Sequence, residues 1–96
     1  MPEMHFVVRW PDNTREACYS PSLVVAEYFT IGERYALDDF VARSRTALTI
    51  ASDRVRAKYG FACSNALAQL AAIDRRAATF EADASAYVVV EAFDSA

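Results

Sequence analysis

The stretch MHFVVRWPDNTREACYS, residues 4–20, decides the fold class. Its first seven residues alternate: Met4, Phe6, Val8 and Trp10 are apolar, and His5, Val7 and Arg9 fall between them. That period of two is the pattern of a strand with one buried face. Pro11 then fixes φ, Asp12 can bond its own backbone, and Asn13 tolerates a left-handed φ, which together predict a tight turn. A second strand, Thr14 to Tyr19, should therefore return antiparallel to the first.

Downstream, Ser20 and Pro21 read as a helix start, because a serine oxygen can cap a free N–H and proline at the first helical position loses nothing. The spacing predicts a short helix to about Phe29, ended by Gly32, although Val24, Val25, Tyr28 and Phe29 would equally suit a strand. A long helix is expected from about Asp38, as N-cap behind Leu37, to Tyr59, since Leu37, Val41, Leu48, Ala51, Val55 and Tyr59 recur at three- and four-residue intervals. Weak helix formers and a second capping residue at 49–53 mark the place for a kink, and Gly60 terminates the helix. Ser64 is read as the cap of an Ala-rich helix whose inward face is Leu67, Leu70, Ala71, Ile73, Ala77 and Phe80. The run Tyr87 to Phe93 has strand composition, and its continuous apolar character suits a place beside the first strand or under cover on both sides.

The expectation is one α+β domain over residues 1–96. The N-terminal hairpin and the C-terminal strand form a three-stranded sheet, covered by a short helix, a long helix with a kink, and the Ala-rich helix.

Composition bounds what such a domain can do. Apolar residues make up 54% of the 96-residue chain against 24% charged, far from a disordered composition, and two separate cores would each be too small. A net charge of −3 opposes long-range attraction to nucleic acid or anionic lipid, so neither is an expected partner. No apolar run approaches the ~20 residues of a membrane helix, and MPEMHF resembles no signal segment, so the expected compartment is the cytoplasm, with Cys18 and Cys63 reduced.

Candidate chemistry is sparse. His5 is the sole histidine and the two cysteines form no CxxC pair, so no zinc set can be built, and two glycines cannot make a phosphate loop. No cofactor is expected and no catalytic residue is assigned. Cys63 precedes a helix start, where the helix dipole can favour a thiolate; it is the candidate reactive thiol, although its apolar neighbours favour a packing role.

The segment 43–58 carries the strongest local charge. Arg43, Arg45, Arg54, Arg56 and Lys58 stand against a single carboxylate, Asp53. At ~100° per residue, Arg43, Arg54 and Lys58 fall on one border of the apolar stripe and Arg45 and Arg56 on the other. A groove-reading helix would gather its cations on one exposed side, so this spacing argues against DNA recognition. It fits flanks that meet carboxylates, an anion or a partner protein.

The stretches MPEMHFVVRWPDNTREACYSPSLVV and FVARSRTALTIASDRVRAKYGFACS, with the closing VVVEAF, resemble the small bacterial nitrogen-starvation response proteins over nearly the whole chain. The resemblance implies a gene neighbourhood with a nitrilase, a radical-SAM protein, an acetyltransferase, a synthetase-like protein and a flavin oxidoreductase, and hence assimilation of nitrogen from nitriles or related compounds. It brings no active site to these positions. The functional expectation is a non-catalytic accessory protein that works by its surface, contacts proteins of that pathway and pairs with a second copy. The alternative expectation is a small enzyme or ligand carrier with an arginine-bordered pocket and Cys63.

Overall fold

In the computed structural model, which describes residues 3–83 and 85–95, the hairpin forms as β1 (Met4–Arg9) and β2 (Arg15–Ser20), paired antiparallel with Met4 opposite Ser20 and Arg9 opposite Arg15. The turn between them is held by side chains. Asp12 accepts from the Thr14 N–H at 3.1 Å and hydroxyl at 2.6 Å, and from Arg76 at 2.8 Å, while Asn13 takes φ +70°. The Thr14 bonds and the Arg76 guanidinium hold the Asp12 carboxyl down at about 2.

The sheet has four strands, not three, in the order β2-β1-β4-β3. The added strand is β3 (Arg34–Ala36), which pairs antiparallel with β4 (Tyr87–Ser95). Three residues are too few to show alternation, and β3 exists because β4 offers a partner: Gly32, at φ +87°, donates to the Val90 carbonyl at 2.8 Å and leads the chain into register. β4 therefore lies inside the sheet between β1 and β3. Its pairing with β1 shifts between Val7 and Val8, leaving Glu91 as an extra residue. The shift reverses the strand's parity. Val88 and Val90 face the core before it, and Phe93, opposite Phe6, faces it after.

Between β2 and β3 the expected short helix is a 3-10 helix, Leu23–Glu27. Ser22 rather than Ser20 caps it, its side chain accepting from the Val24 N–H. Two adjacent β-branched valines and five residues of length favour the tighter turn, and Tyr28, not Gly32, closes it. α1 (Leu37–Tyr59) begins one residue earlier than expected, directly out of β3, with Ala36 in the cap position and Asp38 and Asp39 inside the first turn, where their charges suit the helix dipole. It is continuous through 49–53. Within that stretch Ser52 is buried and caps no break, accepting instead from the Cys63 N–H at 3.3 Å. Gly60, at φ +86°, ends α1 by donating to the Arg56 carbonyl. α2 (Ser64–Ala78) follows with Cys63, not Ser64, at its cap position.

Both helices cover the face of the sheet that carries Met4, Phe6, Val8 and Trp10. An aromatic chain runs through this core. Phe29 lies 5.9 Å from Phe6, 5.4 Å from Phe40 and 5.3 Å from Tyr35, and Trp10 lies 5.5 Å from Phe40 and 6.1 Å from Phe80. The Trp10 indole N–H donates to Glu16 at 3.0 Å, so the buried ring leaves no donor unpaired. At the edge of the sheet, Gln69 of α2 accepts the Tyr19 N–H at 2.9 Å, which blunts an otherwise open strand. Leu67 and Ala71, expected inside, are exposed, and α2 buries Ala66, Leu70, Ile73 and Ala77.

Phe40 touches the sheet, the loop before β3 and Trp10, so Phe40→Ala should cost about 3–5 kcal/mol, a large part of the ~5–15 kcal/mol typical of a domain. The fluorescence of Trp10, the sole tryptophan, followed through urea unfolding measures this. Ser44→Ala should behave oppositely. The Ser44 hydroxyl is buried without a hydrogen-bond partner among the described residues, so its removal should leave the urea midpoint unchanged or raise it.

Candidate interaction surface on the helical layer

The five cations of α1 part into three groups. Arg43 donates to Asp39 at 3.0 Å and to the Tyr28 carbonyl at 3.0 Å, with its guanidinium 5.1 Å from the Tyr35 ring. Arg54 donates to the Ser22 hydroxyl at 3.1 Å, so these two lie along the border facing the 3-10 helix. Arg45, on the opposite border, donates to both Asp74 oxygens at 2.9 Å and ties α1 to α2. Arg56 and Lys58 are exposed and form no ion pair among the described residues.

The last two turns of α1 are thinly packed. From Asp53 to Phe61 only Val55 is even half-buried, and the molecule measures 40 × 22 × 18 Å, its long dimension close to the ~34 Å of a 23-residue helix. Large apolar side chains stand open around the α1–α2 junction. Tyr59 is 53% exposed, Phe61 68% and Leu67 48%, and Lys58 lies 5.6 Å from the Tyr59 ring. Tyr59 and Leu67 were expected in the core by their spacing. Tyr59 comes after the point where the sheet can cover α1, and Leu67 sits on the α2 flank that turns outward. Phe61, just past Gly60, belongs to no periodic pattern.

At the other end of the helical layer is a groove of about 780 Å³, floored by Leu37, Val41 and Ala77. Asp38, Asp74, Glu81 and Asp83 border it against the single cation Arg45. Of the arginines singled out in the sequence, only Arg45 reaches it, and Cys63 does not line it. The carboxylates escape sequence reading because Asp38 comes from the start of α1, Asp74 from α2, and Glu81 and Asp83 from the loop that follows.

The thiols have separate environments. Burial, and then Glu16, push the Cys18 thiol far above its usual range, and Cys18 and Cys63 are not bonded to each other. Cys63 is half-buried beside Tyr19. The Tyr19 phenol donates to Glu3 at 2.9 Å and is pushed up to about 12, by burial first and then by Glu3 and Cys63. His5 lies edge-on to the Tyr19 ring at 5.9 Å on the sheet face opposite the helices, where Glu91 also bridges Arg9 and Arg15. No helix is long and apolar enough to cross a membrane, and no group of three or more metal-ligating side chains occurs among the described residues.

These features define an α+β protein with a four-stranded antiparallel sheet, two helices on one face, and a helical layer that is basic and apolar at one end and acidic and grooved at the other. The chain belongs to the family of the nitrogen starvation-induced protein NitG, whose model matches residues 5–93. No curated protein and no solved structure matches it significantly.

A thiol reagent should label Cys63 in the folded protein and both cysteines after unfolding, counted by mass spectrometry. The raised Tyr19 value means that this phenol's contribution to stability is complete below pH 10 and is lost as pH rises toward 12. The ultraviolet titration difference between wild type and Tyr19→Phe should show a phenol ionising near 12, and Glu3→Gln should move that step downward.

Proposed function

We propose that this member of the nitrogen-starvation family is a non-catalytic accessory protein that acts by binding other proteins. The observation that carries the reading is the exposure of Tyr59, Phe61 and Leu67 around the α1–α2 junction, together with Arg56 and Lys58, which form no ion pair among the described residues. Large apolar side chains cost free energy in water, and aromatics next to arginine are the side chains that dominate protein contacts. The enzymes of nitrile-nitrogen assimilation are the partner class, a reading supported by the family and by the gene neighbourhood that the resemblance implies.

A second reading has its own observation. The groove floored by Leu37, Val41 and Ala77 is large enough for a small organic ligand, which supports a carrier. Cys63, lying elsewhere, takes no part in that version.

Tagged protein purified from nitrogen-starved cells should bring down an enzyme of the pathway. Phe61→Ser with Tyr59→Ser should lose most of that recovery with little change in melting temperature, because both side chains are more than half exposed. Full recovery by the double variant would contradict the proposal. A thermal shift with small nitriles or amines, with no partner recovered, would favour the carrier.

A further inference from the structure

We propose that the acidic groove receives the basic tip of α1 from a second copy of this chain, in a closed twofold pair whose α1 helices run antiparallel. This inference rests on the reading of the α1–α2 end as a contact surface and names its first occupant.

The argument begins with unmatched charge. Arg45 and Asp74 neutralise each other inside the groove, which leaves Asp38, Glu81 and Asp83 without a cationic partner among the described residues. At the opposite end, Arg56 has no carboxylate partner among the described residues, and neither does Lys58, about 200° further round the helix. The same molecule cannot bring these sets together. Asp38 and Arg56 are eighteen residues apart on one continuous helix, about five turns, so they share a side of α1 but are separated by roughly 27 Å. Helix α2 repeats the arrangement: Leu67 and Asp74, about two turns apart, share the flank of α2 that meets the groove.

One outward face therefore carries cations and apolar side chains at one end and carboxylates over an apolar floor at the other. A twofold axis across the middle of that face sets the tip of each copy against the groove of the other. Both contacts form at once, which closes the assembly. Phe61 and Tyr59 would cover the floor of Leu37, Val41 and Ala77, and Arg56, on the same side of α1 as Asp38, would meet Asp38, Glu81 and Asp83. The antiparallel α1 helices also bring opposite dipole ends side by side. A small ammonium ligand would answer the charge of the groove but not its apolar floor, and would leave the tip uncovered.

Charge exchange tests this directly. Light scattering at low salt should give wild type twice the 10.6 kDa chain mass, with dissociation as salt is raised. Arg56→Glu, and separately Glu81→Lys with Asp83→Lys, should each give monomers. Mixed in equal amounts they should restore a heterodimer, because the reversed tip meets the reversed groove and the two native ends still match; the restoration also shows that both variants are folded. Wild type that stays monomeric at hundreds of micromolar, reversals that leave the dimer intact, or a ladder of higher species would overturn the inference. A monomer that still recovers its pathway partner would overturn this pairing and leave the proposed function standing. A dimer that recovers none would do the reverse.

Discussion

The packing of Trp10 edge-on to Phe40, and of Phe40 against the tilted ring of Phe29, is the constraint on which the other elements depend. Trp10 ends β1, Phe29 follows the 3-10 helix and Phe40 lies in the first turns of α1, so three segments distant in sequence meet at one set of rings. Tyr35 of β3 and Phe80 beyond α2 join the same chain. Once Phe40 is placed there, α1 must start over the end of β1 near Trp10 and cross the sheet from that point. Arg76 seals that end, 5.9 Å from the Trp10 ring while bonded to Asp12 and Thr14 of the hairpin turn.

Fixing one end of a 23-residue helix determines the fate of the other. Strands β1, β2 and β4 are six to nine residues long and β3 only three, and the helix is longer than the sheet can cover. Its final turns consequently keep their cations and aromatic side chains in water, while its first turns, with Glu81, Asp83 and Ala86, build the acidic groove. The polarity of the helical layer follows from anchoring, not from a separate motif. The same polarity underlies both the proposed partner surface and the proposed twofold pairing.

The hairpin was legible because seven alternating residues and a Pro-Asp-Asn turn admit few alternatives, and the two helices followed from their apolar periodicity and Gly60. The division of the arginines between two borders of α1 was also legible, since it needs only the angle per residue; Arg43 and Arg54 do face the 3-10 helix, and Arg45 faces α2. β3 was not, because Arg34, Tyr35 and Ala36 become a strand only by pairing with β4. Nor could periodicity reveal that β4 changes parity at Glu91, or that Tyr59 and Leu67 remain uncovered: both depend on how far the sheet extends. The groove joins the start of α1 to Asp74, Ala77, Glu81, Asp83 and Ala86, a contact that no local pattern encodes.

The claim that the α1–α2 end is a contact surface is tested most directly by placing a photoreactive side chain at position 61 and sequencing the cross-linked peptides in nitrogen-starved cells. The account predicts cross-links to residues 37–45 or to Glu81, Asp83 and Ala86 of a second copy, or to an assimilation enzyme that takes the same surface in its place, with few from a probe at Ala17 on the opposite sheet face. Equal cross-linking from both positions, or none from position 61, would contradict it.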